Sequence, residues 1–430
     1  MTMNNKMRQD PPADEEIKII LEKNLSAVKK ASGVLALLSG EEKNKLLASV
    51  AEKIDKNREK IISANKIDTE NAKGVIKDSM IDRLTLTNAR IDGIIGSINK
   101  VIALPDPTGT FEGFTRPNGL VIEKKKVPFG VIGIIYESRP NVTVDSAALC
   151  IKSGNGVVLR GGKEAINTNI ALIGAIKEAL RENGIPDECI FLIDSADRRY
   201  TLALLRAKGL VDLVIPRGSA GLINFVTENA LVPAIETGAG NCHVYVHEDG
   251  DLDTALNVLI NAKTQRPSVC NAAETLVVHE SVAAEFLPKA ARALLEKNVE
   301  IRADEKALPL MEGAVPASEE DFFTEYDDLI IAVKVVSSLE EAIDHINKHN
   351  TKHSEAIITR SIAASDIFSA RIDAACVYTN ASTRFTDGEE FGFGAEIGIS
   401  TGKLHARGPM GLNELTCTKY VIKGNGQTRG

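Results

Sequence analysis

The chain has 430 residues, 43% of them hydrophobic and 26% charged, with a formal net charge of −8. That length exceeds one ordinary hydrophobic core and fits two or three domains, and the composition is that of a globular protein. The acidic balance argues against a nucleic-acid protein, which would present a basic surface. Trp is absent and aromatics make up 4%, so the cores must be built from Ile, Leu, Val and Ala. No apolar run reaches membrane-spanning length, and Met1–Glu16 is polar without an apolar signal core. A cytoplasmic location is the expectation. The cysteines, Cys150, Cys189, Cys242, Cys270, Cys376 and Cys417, lack paired short spacings, which predicts reduced thiols and neither a disulfide framework nor a zinc site.

In chain order, Glu15–Lys30, Gly40–Lys56, Arg58–Ala72 and Thr87–Leu104 repeat apolar residues at three- and four-residue spacing and predict helices. Ser39-Gly-Glu-Glu42 has capping-box spacing. Thr110–Thr115 and Leu120–Lys126 flank Pro117-Asn118-Gly119 and predict a β-hairpin. Its Lys124-Lys125-Lys126 is a device that discourages edge pairing. From Gly130 strands and helices alternate. Strands are expected at Val131–Tyr136, Gly156–Arg160, Cys189–Ile193, Leu213–Ile215, Pro233–Glu236 and Cys242–Val246, with the last two closing this half. A second alternating block runs from Asp251 to residue 379, and Thr416–Ile422 is a final strand that pairs with the hairpin. This alternation predicts an α/β fold with parallel sheets and crossover helices.

Several residues bear chemistry. Cys270 lies where a polar loop meets a small-residue stretch able to begin a helix, and a thiol at a helix N-terminus loses its proton more easily. The competing role is a small buried hydrophobe. Asn141 follows a buried strand and precedes a helix, where it serves as an N-cap or faces a ligand. Arg160 and Lys163 flank Gly161-Gly162, a loop suited to phosphate or simply solvated. Arg217-Gly218-Ser219-Ala220-Gly221 opens a helix with small residues, either as an ordinary turn or as a pyrophosphate cradle. The glycine-rich stretch from Asn380 to Leu412 carries Arg384, Lys403, His405 and Arg407. Those cations suit an anionic substrate or decorate a surface loop. His345, His349 and His353 repeat every four residues. Asn350-Thr351 should end the helix before the third, which disfavours a metal site.

Ser138-Arg-Pro-Asn-Val-Thr143, Leu159-Arg-Gly-Gly-Lys-Glu164, Pro216-Arg-Gly-Ser219, Glu236-Thr-Gly-Ala-Gly-Asn-Cys-His-Val-Tyr245, Ser268-Val-Cys270, His353-Ser-Glu-Ala-Ile-Ile-Thr359, Asn380-Ala-Ser-Thr-Arg-Phe385 and Gly408-Pro-Met-Gly-Leu412 occur in this order. Together they resemble the aldehyde dehydrogenase superfamily and, within it, the γ-glutamyl phosphate reductase family, over about residues 15 to 425. The resemblance implies an aldehyde dehydrogenase-like α/β architecture. A Rossmann-type cofactor domain would span 1–107 and 128–246, a catalytic domain 247–410, and a β oligomerisation element 108–127 and 411–430.

It implies that the chain reduces L-glutamyl 5-phosphate to L-glutamate 5-semialdehyde through a cysteine thioester. Cys270 would be the nucleophile, with Asn141 and the Cys270 amide as oxyanion donors. Glu236 matches the family's general base, although a reductase needs no hydrolytic water. Arg160, Lys163, Gly218, Ser219 and Glu325 would bind the cofactor. Lys163 stands where an acidic residue would favour NAD, so NADPH/NADP is the expectation. Tyr326 departs from the Trp more usual after that glutamate. Arg139, Arg384, His405 and Arg407 would hold the substrate. No metal is expected. A separate glutamate 5-kinase would supply the acyl phosphate, and at least a dimer is expected. The alternatives are a hydrolytic NAD(P)-dependent aldehyde dehydrogenase and a non-catalytic scaffold of the same fold.

Overall fold

A computed structural model describes residues 14–429. The polar N-terminal stretch before them lies outside the described residues. The chain divides into two compact units, one running to Ala234 and resuming at Leu412, the other spanning Ile235–Gly411.

The first unit begins with helices Asp14–Leu35, Gly40–Lys56, Arg58–Ala72, Asp78–Leu84 and Asn88–Ala103. The capping box forms: Ser39 N donates to Glu42 Oε2 at 2.7 Å and Glu42 N to Ser39 Oγ at 3.3 Å. Helix Asp78–Leu84 was not expected. It has only seven residues, too few for apolar periodicity to show, and is anchored by the fully buried Leu84.

Strands Gly109–Thr115, Val121–Pro128 and Thr416–Lys423 form an antiparallel sheet with Val121–Pro128 in the middle. The lysine-rich strand is therefore not an edge. Lys124 and Lys126 instead lie over the Phe111 ring, at 5.4 and 5.9 Å from its centroid, and Lys126 donates to Asn413.

A four-stranded parallel sheet follows, in the order Ile190–Leu192, Gly156–Arg160, Val131–Tyr136, Leu213–Arg217. Every residue of Val131–Tyr136 is buried, as expected for a strand covered on both faces. The strand order reverses between Val131–Tyr136 and Leu213–Arg217. A crevice for ligands is expected at such a switch point, beyond the carboxyl ends of the strands. No strand forms at Pro233–Glu236; only a single bridge, Val214 to Ala234, is present there.

The second unit holds a seven-stranded parallel sheet. Its order is Val315–Pro316, Glu300–Ala303, Ile330–Val336, Ala273–His279, Cys242–Val246, Ser354–Ile358, Cys376–Thr379. Cys242–Val246 is thus an interior strand of this sheet and does not close the first half; the division falls at Ala234, not at residue 246. Its residues alternate between two cores. Val244, Val246, Leu276 and Val278 pack with helices Leu252–Thr264 and Glu280–Leu295, while Tyr245 and Val277 pack with helices Leu339–His349 and Ile362–Arg371. That period of two is the pleat. No described helix is long and apolar enough to cross a membrane.

Candidate active site

Cys270 does not begin a helix. It occupies a turn between helix Leu252–Thr264 and strand Ala273–His279 and stands at no helix N-terminus. Other groups shape its surroundings. Gly240 lies against it so closely that a Cβ there would overlap the Cys270 carbonyl. Cys242, buried, donates its Sγ–H to that carbonyl at 3.2 Å. Burial, then Glu355 and Cys270, push the Cys242 thiol far up, so it remains a protonated donor.

Asn271 pins the turn to the glycine-rich stretch. Its side chain donates to the Thr386 carbonyl at 2.9 Å, and its own carbonyl accepts from Thr383 Oγ1 at 2.7 Å. Arg384 donates to Gln265 Oε1 at 2.8 Å and to Asn271 Oδ1. Burial and then Arg266 lower the Arg384 pKa, while Cys270 opposes them. The guanidinium is therefore within electrostatic reach of the thiol, and a nearby cation is the kind of group that favours a thiolate. The structure brings Cys270 and Arg384 together.

Glu325 joins them through Gly240, whose N–H donates to Glu325 Oε1 at 2.7 Å. Burial pushes Glu325 up to about 7. Tyr326 donates to Asp321 Oδ1 at 3.0 Å. Arg302 and Lys263 lie over its ring, 5.2 and 5.9 Å from the centroid.

Glu236 is exposed. Arg407 pairs with Asp373 at 2.7 Å, and Lys403 does so at 3.0 Å, so an incoming anion would compete with Asp373 for them. His405 is exposed and adopts φ 65°. Helix Leu339–His349 ends before His353, and His349 instead contacts the His345 carbonyl and Glu319. No group of three or more potential metal ligands occurs among the described residues.

In the first unit, Asn141 is not the N-cap of helix Pro140–Ser153. Arg139 holds that position without a side-chain cap bond, and Pro140 follows at the first turn. The Asn141 amide is exposed and donates to Asp145 Oδ2 at 3.1 Å. Arg160 ends its strand half-buried, and its buried Nε lacks a hydrogen-bond partner. Lys163 is exposed at the start of a one-turn 3₁₀ helix.

Two carboxylates missed from sequence stitch these loops. Glu164 accepts from Ser138 N at 2.9 Å and from Ser138 Oγ. Glu137 accepts from Ser219 N at 2.9 Å and Ser219 Oγ at 3.0 Å. The Arg160–Lys163 loop carries two cations and a buried guanidinium N–H without a partner, chemistry compatible with an anionic group such as a dinucleotide phosphate. At Gly218–Ser219 the chain's own carboxylate already holds the amide. Glu164 closed a quoted motif and Glu137 adjoined one, but no spacing rule marks an acidic residue as a cap for a distant loop.

The Aldehyde dehydrogenase family model matches residues 15–310. A γ-glutamyl phosphate reductase of Carboxydothermus hydrogenoformans is 56% identical over 94% of this chain and 97% of its own length. One from Enterococcus faecalis is 54% identical over 93% and 97%. The crystal structure of γ-glutamyl phosphate reductase from Thermotoga maritima superposes with a TM-score of 0.93 at 50% identity, covering 95% of this chain and all of that one. A glyceraldehyde-3-phosphate dehydrogenase from Methanocaldococcus jannaschii, complexed with NADP, shares the fold at 19% identity and a TM-score of 0.67, over 97% and 96%. With identity above half across nearly the whole chain, this protein belongs to the γ-glutamyl phosphate reductases of the aldehyde dehydrogenase family.

Proposed function

We propose that the chain reduces L-glutamyl 5-phosphate to L-glutamate 5-semialdehyde and phosphate, with NADPH as reductant, in proline biosynthesis. The observation that carries this reading is the turn of Cys270, backed by Gly240 and lying within reach of Arg384, in a chain so similar to curated reductases.

The Cys270 thiolate attacks the acyl carbon. A carbon–sulfur bond forms and the carbonyl electrons move to oxygen, where Asn141 and the Cys270 amide donate hydrogen bonds. Such a donor is worth roughly a hundredfold or more in rate. Collapse expels inorganic phosphate and leaves a thioester. NADPH, when bound, supplies the hydride that reduces it. The resulting alkoxide then breaks the carbon–sulfur bond, releasing the aldehyde and restoring the thiolate. Arg160 and Lys163 are assigned to the 2′-phosphate, Gly218 and Ser219 to the pyrophosphate in competition with the Glu137 carboxylate, and Glu325 to the nicotinamide ribose. Arg139, Arg384, His405 and Arg407 are assigned to the substrate's anionic groups, and Glu236 lines the site.

Three further assignments follow. The absence of disulfides among the six cysteines suits the cytoplasm. A glutamate 5-kinase that makes the labile acyl phosphate is the natural neighbour. Exposed Phe111, Phe114, Tyr420 and Ile422 on the three-stranded sheet support a homo-oligomer.

The test is the reverse reaction with semialdehyde, phosphate and NADP. Wild type should turn over only with phosphate, and Cys270→Ala should be inactive. Phosphate-independent oxidation to free glutamate would favour a hydrolytic dehydrogenase, and turnover by Cys270→Ala would remove the covalent mechanism.

A further inference from the structure

Lys263 lies in the last turn of the helix that enters the Cys270 turn, and Glu274 is the second residue of the strand that leaves it. Their side chains meet at 2.6 Å, with 0% and 1% of their surfaces exposed. The pair therefore closes the base of the turn that presents the nucleophile. Lys263 Nζ also lies 5.9 Å from the Tyr326 ring centroid. Glu274 Oε1 is buried without a hydrogen-bond partner.

Such a pair is an odd choice for stability alone. Two charges removed from water cost several kcal/mol each, and well-packed apolar residues commonly replace a buried pair at no loss. Its charges bear on the site instead. Glu274 acts electrostatically on Cys242, the residue that holds the Cys270 carbonyl, and Glu325 does so too. Glu325, Asp327 and Asp328 face the pair from the segment that carries Tyr326. Arg384, which donates to Asn271 next to the nucleophile, interacts electrostatically with the Cys270 thiol and with Arg266.

We propose that Lys263 and Glu274 are positioning residues for Cys270. They pin both ends of its turn and balance the charge beneath it, so that the thiolate is governed by the cation at Arg384. This rests on the reading of Cys270 as the nucleophile.

The experiment measures the rate at which iodoacetamide alkylates Cys270, located by peptide mass spectrometry, as a function of pH in the full-length protein. Glu274→Gln leaves an uncompensated buried cation and should shift the profile to lower pH. Lys263→Met leaves uncompensated negative charge and should shift it to higher pH. Each shift should be roughly half a unit to one unit, the effect of one charge near 10 Å at an effective dielectric constant of 20 to 40. The double variant Lys263→Met/Glu274→Gln should return toward the wild-type profile while its kcat stays about tenfold or more below wild type, because the clamp is lost.

Unshifted profiles with altered melting temperatures alone would reduce the pair to a structural role and overturn the proposal. If a single variant fails to fold, the double variant carries the test: wild-type kcat there overturns it. Alkylation is read without turnover, so the outcome is separate from the fate of the thioester mechanism, which Cys270→Ala decides.

Discussion

Glu137 and Ser219 close the switch point of the four-stranded sheet. The Glu137 carboxylate, at the end of one strand, accepts both the backbone N–H and the hydroxyl of Ser219, which precedes helix Ala220–Asn229 beyond the next strand. Gly218 permits this approach, since a Cβ there would stand 2.6 Å from Glu137 Oε2. An internal anion thus sits where a helix N-terminus would otherwise receive phosphate. Glu137→Gln should tighten NADPH binding about three- to tenfold, the equivalent of roughly 1 kcal/mol of removed competition. The enhancement of NADPH fluorescence on titration measures it. Weaker binding would mean that the carboxylate organises the loop for the cofactor and does not oppose it.

Gly240 offers a sharper steric test. A methyl group there would overlap the Cys270 carbonyl, and the same residue's N–H holds Glu325. Gly240→Ala should lower kcat about a hundredfold by moving the turn. Stability should fall by only about 1 to 3 kcal/mol, as for other overpacked sites. Urea unfolding and steady-state assays of one preparation separate the two effects. Unchanged kcat would show that the turn tolerates displacement.

Much of this architecture was legible in the sequence because it rests on local patterns. The run Val131–Tyr136 is a doubly covered strand, and the box Ser39–Glu42 caps its helix. Cys242–Val246 was recognised as a strand but assigned to the wrong sheet. Nothing within five residues states which neighbours a buried strand will pair with. The surroundings of Cys270 were also misread. A polar loop followed by small residues is compatible with a helix start, but the strand that the run Glu274–His279 predicts begins at Ala273, paired with Cys242, and leaves no room for a helix after Cys270. The partners of the site, Lys263 with Glu274 and Glu137 with Ser219, are set by tertiary packing and leave no spacing rule to read.

Glu325 should leave a signature in the dependence of stability on pH. Burial raises its pKa from 4.5 to about 7 in the folded chain. The folded state therefore binds more protons than the unfolded one between those values. Its contribution is present in full below about pH 4.5 and is lost as pH rises through 7. Glu325→Gln should abolish this decline, worth roughly 1 to 3 kcal/mol, so that the urea midpoint falls less between pH 5 and 7 than in wild type. Parallel curves for the two proteins would rule out a raised pKa at this position.

The three-stranded sheet carries the last prediction. Phe114 is registered opposite Ile122, and Ile122 opposite Ile422, so the three side chains form one row on the same face. Phe114 is 49% exposed and Ile422 60%. Contiguous apolar surface of this kind marks an association site when it stays uncovered. A carboxylate in the middle of such a contact would be desolvated without a partner, which costs more than the lost apolar contact itself. Phe114→Glu should therefore reduce the particle mass measured by light scattering at micromolar concentration, with the far-ultraviolet circular dichroism unchanged. An unaltered mass in a variant of native dichroism would show that the protein associates through another surface or not at all.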